Sequence, residues 1–404
     1  MSTLRIVNIC QYIAHNPRHG GAIRVFNINN ELAQSKDKDM RLVQFSYTPL
    51  LFMNQEYKSG NYAEIVSNPL AYTKMVVLLS RILGIESYDF ILPFTFKFII
   101  PSRRLVEEIK KADIIVIEHP WLFRFAYKLR NEYNKKAKLV LDCHNAEIQQ
   151  YKDLLKNKFL KKSILKTVRR TEEFAVKQSD LCLSMCVEDA NFLAKEYDVD
   201  KKKFIIVPTG VDLQNFKPLI SVQKEKLKQK LGLAGKKIVL FSGAKHPPNY
   251  EAYLQIKNII APKIMKLNRN KDILFVIAGS ICKKQSFENI VCTGKVDDIL
   301  PYFQVVDIAI NPMLSGSGFN GKMIEYFAVA LPVITTQHGA RGLAVKDKNE
   351  VLVRNIEDFP KTINNLLENT SLQLSLAKKA GGFVKDFEWK KIVSRLRKKL
   401  TQLI

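Results

Sequence analysis

No stretch of this 404-residue chain approaches the roughly 20 uninterrupted apolar residues that a membrane-crossing helix needs, so none is expected. The opening "MSTLRIVNIC" is too short and too polar for a secretory signal and reads as a first strand. Cysteine is sparse and scattered. Cys10, Cys143, Cys182, Cys186, Cys282 and Cys292 form no CxxC pair, which argues against a zinc cluster or a dithiol redox motif. Mostly flanked by apolar residues, they read as buried free thiols, and a cytoplasmic location is expected. No CxxC pair accompanies the six histidines, and no bound metal is expected. No GxGxxG opens the first helix and no GxSxG elbow occurs, so neither a dinucleotide dehydrogenase nor a serine hydrolase fits. Negative charge is also short: 39 acidic residues stand against 64 basic ones, a net charge of +25. Such a field draws anions, whether phosphorylated small molecules, nucleic acid or an anionic membrane surface, and does not choose among them.

What is present is an ordinary globular composition, 47% hydrophobic, in a chain long enough for two cores. Short β-branched runs alternate with helical periodicity. "LRIVNIC", "RLVQFSY", "ADIIVIEH", "AKLVLDCH", "DLCLSM" and "KFIIVPTG" read as strands in the first half. "KKIVLFSG", "DILFVIAG", "ENIVCTG", "VDIAINP" and "LPVITT" do so in the second. Most are continuous apolar runs, as parallel strands covered on both faces require. Helical segments between them predict two doubly wound α/β domains, with ligands at the carboxyl ends of the strands. A junction falls in "PTGVDLQNFKPLISVQKEK", 208–226, where prolines and a charged stretch interrupt the rhythm. Residues 50–105 fit the rhythm poorly and read either as irregular core packing or as a partner-facing insertion.

The stretch "SGSGFNGKMIEYFAVALPVITT", 315–336, places a glycine turn between a strand and an apolar helix. Unpaired amides at a helix start favour an anion, so Gly318, Asn320 and Gly321 form a candidate phosphate seat. Glu325 falls one turn in, placed to accept from a ligand hydroxyl. Alone this is weak, because many helices begin after glycine turns and an early glutamate also complements the dipole. However, "FSGAKHPPNYEAY", 241–253, repeats the arrangement with Gly243 and Lys245, and "FVIAGS" ends a third strand at Gly279. Lys245 and Lys322 could neutralise a diphosphate between them.

The order of these motifs resembles the GT-B glycosyltransferases of family 4, also called group 1, over nearly the whole chain. "HGGAIRVFNINNELA" resembles the family's Gly-Gly loop and helix, and "VLDCHNAE" its Asp-His-Asn-Glu strand end. "VPTGVDLQNFKP" is similar to its domain junction, with Thr209 in place of asparagine. "PPNYEA", "GKVDDILPYFQVVDIAINP" and "SGFNGKMIEYFAVALPVITT" resemble its nucleotide-binding core. "DFEW" resembles the start of its terminal helix. The resemblance implies two Rossmann-like domains facing across a cleft: an acceptor-side domain over 1–210 and a nucleotide-sugar-binding domain over 211–385. A basic terminal helix over 386–404 would cross back to the first domain.

The resemblance also implies sugar transfer from a nucleoside-diphosphate sugar, with retention and without metal or other cofactor. Glu325 would hold the ribose. Ser317 stands where the family has a second glutamate that touches the donor sugar. The phosphates would meet Gly243, Lys245, Gly279, Gly318, Phe319, Asn320, Gly321 and Lys322. On the opposite wall stand Gly20 and Gly21, with Arg24 either reaching the phosphates or capping local structure. His119 with Glu118 is assigned to the sugar-transfer centre, and His144, Asn145 and Glu147 to the acceptor or sugar side. Two rivals stand beside this reading: a same-fold nucleotide-sugar 2-epimerase, and a non-catalytic basic protein that binds membrane or nucleic acid.

The basic surplus concentrates in "YKDLLKNKFLKKSILKTVRR", 151–170, read as one amphipathic helix, and in the terminal helix with Lys390, Lys391, Arg395, Arg397, Lys398 and Lys399. Charge runs are usually solvated faces. Polybasic amphipathic surfaces also bind anionic lipid, and because the family often serves lipid-linked or envelope glycans, association with the inner face of the membrane is expected. The expected partners are therefore a nucleotide-sugar donor, a saccharide or lipid-linked acceptor and an anionic surface, with no nucleic acid.

Overall fold

The computed structural model describes residues 3–17, 19–34, 40–47, 55–67, 89–155, 158–267, 272–316 and 318–404. It divides into two compact units, Met1–Thr209 with Trp389–Ile404, and Gly210–Glu388. Both are α/β.

The first unit is built on eight strands: β1 Leu4–Cys10, β2 Met40–Tyr47, β3 Gln55–Ser59, β4 Tyr62–Ser67, β5 Ile114–Glu118, β6 Lys138–Cys143, β7 Leu181–Ser184 and β8 Phe204–Ile206. Their order is β3-β4-β2-β1-β5-β6-β7-β8. Every pairing is parallel except the β3–β4 hairpin, which turns at Gly60 with φ of 57°. Its strand β4 pairs parallel with β2. Within the aromatic-rich stretch of 50–105, then, 55–67 is a regular sheet edge, while 48–54 and 68–88 lie outside the described residues. Continuous apolar runs become strands buried on both faces; all five residues of β5 are buried. The sheet order reverses between β1 and β5, the switch point at which open α/β sheets bind ligands.

The terminal helix, Trp389–Thr401, belongs to this unit. Trp389, Ile392, Val393, Leu396 and Leu400 recur at helical spacing and are all buried, sharing a core with Ile28 and Leu32 of the first helix, Gly20–Ala33. Such burial stabilises by about 1.5–3 kcal/mol per large side chain. Arg397 donates Nη2 to the Leu32 carbonyl at 2.7 Å, satisfying an acceptor at the end of that helix. The segment 151–170 is not one helix. A helix ends at Leu154 and another runs Lys158–Gln178, with Ile164 and Val168 turned into the core.

The second unit holds β9 Lys237–Ser242, β10 Ile273–Ala278, β11 Gln285–Phe287, β12 Ile290–Gly294, β13 Ile308–Asn311, β14 Val333–Thr335 and β15 Leu352–Val353, in the order β11-β12-β10-β9-β13-β14-β15. Only β11–β12 is antiparallel. The order reverses between β9 and β13. The glycine turns after these two strands therefore emerge side by side at the carboxyl edge. Among the described residues no helix is long and apolar enough to cross a membrane.

Candidate functional site

In the second unit, β13 leads through Gly316 and Gly318, both in the left-handed region at φ 114° and 76°, into the helix Gly321–Ala328. Asn320 precedes this helix without capping it; its Nδ2 instead donates to the Gly339 carbonyl at 3.0 Å. The Gly321 amide, expected at the diphosphate, is already bonded to the Phe319 carbonyl at 3.0 Å. That expectation is corrected for Gly321: the turn tightens on itself just before the helix. Phe319 is half-buried and its ring stacks near Phe387, 5.9 Å between centroids. Ser317 lies outside the described residues.

A connected chain of contacts joins the other expected residues. A Cβ at Gly279, whose φ is 104°, would lie 2.4 Å from the Gly243 carbonyl oxygen, so only glycine lets these strand ends meet. Gly243 lies against the Asn249 side chain, whose Nδ2 donates to the Ala244 carbonyl at 2.9 Å. Lys322 Nζ donates to Asn249 Oδ1 at 2.8 Å and sits 4.3 Å from the centre of the Phe241 ring. Glu325 follows one turn later. Tyr326 Oη bonds both the amide and the hydroxyl of Ser242 at 2.8 Å, locking this helix to the end of β9. Lys245 is exposed, with its amide donating to Ser280 Oγ at 3.0 Å.

Lys322 and Glu325 are both half-buried. Burial pushes the Glu325 carboxyl up to about 7 against the pull of Lys322, and pushes the Lys322 ammonium down to about 7 against the pull of Glu325. The seat thus offers a cation and a carboxylate poised near neutrality.

In the first unit a cluster of titratable groups occupies the switch point. His119, directly after β5, has φ of 61°, an uncommon conformation for a residue with a side chain. His119 Nδ1 pairs with Glu147 Oε1 at 2.7 Å, and His144 Nε2 with Glu118 Oε2 at 2.7 Å. Each histidine thus takes its carboxylate from another element, and all four side chains share one cluster. The two rings stack, with centroids 4.1 Å apart. Glu118 is buried, held also by Asn8 Nδ2 at 2.6 Å, so it supports His144 from behind.

Burial, with His144 alongside, lowers His119 to about 3, and burial likewise lowers His144 to about 3, so both imidazoles are neutral at pH 7. Burial, with Asp142 nearby, pushes Glu118 up to about 8, and burial also holds Glu147 well above the carboxylate range. Glu147 opens the helix Glu147–Leu154, and buried Glu172 accepts its amide at 2.6 Å. Asn145 is half-buried beside His144.

Arg24 requires a correction. It is fully buried, donates Nη1 to Asp142 Oδ2 at 2.6 Å and Nη2 to the Val207 carbonyl at 2.9 Å, and so reaches no ligand-facing surface. It lies on the inner face of the helix that begins at Gly20, while Gly20 is exposed at the helix start. Gly21 allows a close approach: a Cβ there would be 3.1 Å from Tyr12 Oη and 3.5 Å from His144 Nδ1. Glu118, Asp142 and His144 place three potential ligand atoms within 4.8 Å of one another, as a metal cluster would. Of these, Asp142 is already paired with the Arg24 guanidinium.

Sequence reasoning missed Tyr12, His19, Asn8 and Glu172. Tyr12 stands edge-on to His19 at 4.7 Å and to His119 at 6.0 Å, and its buried Oη has no partner among the described residues. His19 Nδ1 accepts the Ala22 amide at 3.3 Å and caps the first helix. The position of Tyr12, two residues beyond a strand, was the available signal.

A family model described as "Glycosyltransferase Family 4" matches residues 68–215, and one described as "Glycosyl transferases group 1" matches 236–369. A 44.6 kDa protein of the cps region of Klebsiella pneumoniae is 22% identical over 408 residues, covering 96% of this chain and 97% of its own. The UDP-Gal:alpha-D-GlcNAc-diphosphoundecaprenol alpha-1,3-galactosyltransferase of Escherichia coli is 26% identical over 52% of this chain and 56% of its own. Among solved structures, the Anabaena protein HepE, in complex with UDP, superposes with a TM-score of 0.67 at 12% identity, over 99% of this chain and 100% of its own. That likeness carries the fold.

Proposed function

Since the chain belongs to the family 4-like, group 1 glycosyltransferases and has their GT-B fold, we propose that it moves a hexosyl group from a nucleoside-diphosphate sugar to a saccharide or lipid-linked acceptor. The carrying observation is the contact chain Gly279–Gly243–Asn249–Lys322, with Glu325 one turn beyond. A leaving diphosphate gains negative charge, and a fixed ammonium in a half-buried seat stabilises it better than water does. Lys322 and Lys245 would neutralise that charge, and Glu325 would accept the ribose hydroxyls. His119, aimed by Glu147, would act on the transferring sugar. The reading includes retention at the anomeric carbon and independence of metal.

The test is a thermal-shift screen against UDP, GDP, ADP and CMP without added metal. One nucleoside diphosphate should stabilise the protein selectively, and Glu325→Ala should weaken its binding about 10- to 100-fold, the loss of a charge-assisted hydrogen-bond pair. Wild-type affinity should be highest near pH 7. It falls on the acid side as Glu325 takes up a proton and on the alkaline side as Lys322 loses one. Unchanged affinity in a folded Glu325→Ala protein removes the ribose role.

A lipid-linked acceptor draws support from the name of the Escherichia coli relative and from a groove in the first unit. This groove, about 460 Å³, is lined by Phe96, Ile99, Trp121 and Phe125, with Lys97, Arg124 and Lys128 among its residues. Lys162, Lys166, Lys390 and Lys398 are also exposed, and a place at the inner face of the membrane in cell-surface glycan synthesis is part of the reading. Each well-placed cation contributes about 1 kcal/mol toward an anionic bilayer. The protein should therefore co-sediment with phosphatidylglycerol vesicles and not with phosphatidylcholine alone. Equal recovery from both removes the membrane role.

A further inference from the structure

The helix that carries Glu147 begins without a cap of its own. Ala146 precedes Glu147–Leu154 and has no side-chain oxygen to accept an amide, yet the first amides of a helix need acceptors. Glu172 supplies them from within another helix, Lys158–Gln178. Its Oε1 accepts the Glu147 amide at 2.6 Å and its Oε2 the Ile148 amide at 3.2 Å. Tyr197 Oη donates to the same Oε2 at 2.6 Å. Glu147, Glu172 and Tyr197 are all buried, each no more than 3% exposed.

A serine before the helix would stabilise this start locally, without taking a carboxylate out of water. A carboxylate brought from 25 positions away does what a local cap cannot: it ties the helix start to a neighbouring element. Val168, Ala175 and Val176 of that neighbour pack into the core on either side of Glu172, so its place is set. The Glu147 backbone is therefore fixed against the core, and Glu147 Oε1 in turn holds His119 Nδ1 at 2.7 Å. Three successive contacts thus run from Tyr197 through Glu172 and Glu147 to the imidazole. Placement of that ring matters, because a displacement of about 1 Å at a reaction centre can slow it about 100-fold.

We infer that Glu172 is a positioning residue for the reaction centre: by gripping the helix start at Glu147 it aims the His119 imidazole. The inference rests on the reading that gives His119 a part in sugar transfer, and its first test does not depend on that reading.

This first test is nuclear magnetic resonance of the full chain with isotope-labelled histidine nitrogens, the His119 signals being identified by their loss in His119→Ala. A hydrogen bond at Nδ1 holds a neutral imidazole in one tautomer, so the two His119 nitrogens should give well-separated signals. Glu172→Gln, which removes one acceptor oxygen, should draw them toward the tautomer average. It should leave His15, paired with Glu64 on another strand, unmoved. Tyr197→Phe should act in the same direction by less, and it stands in should the glutamine protein fail to fold. Unmoved His119 signals in a folded variant overturn the inference.

The second test is kinetic, read as nucleoside diphosphate released from whichever of UDP-glucose, UDP-galactose, GDP-mannose and ADP-glucose the wild type turns over. Glu172→Gln should lower kcat about 10- to 100-fold and change KM less than about twofold, as lost alignment does and lost binding does not. In a His119→Ala background the same substitution should lower kcat no further, whereas a general loosening of the domain would slow both backgrounds alike. Equal losses in the two backgrounds overturn the positioning role. A wild-type rate in His119→Ala alone removes the transfer reading, and the ring signals then decide separately whether Glu172 aims the imidazole.

Discussion

An Arg24→Ala protein is expected to lose about 3–5 kcal/mol of stability, the usual consequence of stranding one partner of a buried ion pair. Asp142 Oδ2 would lose its 2.6 Å partner, and the Val207 carbonyl would lose its donor. Asp142 Oδ1 already has no partner among the described residues, so nothing nearby replaces the guanidinium. Arg24→Lys should recover part of the loss, because an ammonium can keep the charge but cannot bridge both acceptors in one plane. Urea denaturation followed by circular dichroism measures the effect. If Arg24→Ala weakens nucleotide binding while its unfolding midpoint stays unchanged, the inward placement of Arg24 is wrong and the phosphate role returns.

His119→Ala is expected to slow sugar transfer about 100- to 1,000-fold, the range for removing one positioned hydrogen-bonding group from a reaction centre. Nucleoside diphosphate affinity should change little, since the donor seat lies on other elements. Glu147→Gln should slow transfer less, because an amide still aligns the His119 ring. His119 is held near 3 by burial and by His144, so it carries no charge anywhere between pH 5 and 9. Its contribution to the rate should therefore be flat across that window. A limb in kcat near pH 6.5 that disappears in His119→Ala would contradict a neutral imidazole, and an unaltered kcat would remove His119 from the reaction.

Two α/β domains follow from the sequence because a strand covered on both faces must be apolar along its length. "IIVIE" and "KIVLFS" carry that signature whatever surrounds them. The glycine turns after β9, β10 and β13 were legible for a related reason. A glycine turn between such a strand and an amphipathic helix is a local arrangement, and Gly279 against Gly243 shows why no larger residue would serve there.

Pairings across the sheet were not legible. Neighbours in the chain placed His119 and Glu118 together, and the structure keeps them in one cluster while each histidine takes its carboxylate from another element. Arg24 looked like a phosphate ligand because it follows two glycines. Helical geometry places it on the buried face, where Asp142, 118 positions later, supplies the counter-charge. The hairpin at 55–67 was hidden because an edge strand needs little apolar residue to pair.

The sequence by itself determined the two α/β domains, their family and the glycine turns after β9 and β13, because these depend on local periodicity, motif order and conformational freedom. Only the tertiary structure decided which carboxylate serves which histidine and where Arg24 is buried. Those are contacts between distant segments, and the physical cause is burial: a polar or charged group removed from water must find a partner, and folding decides which one it reaches.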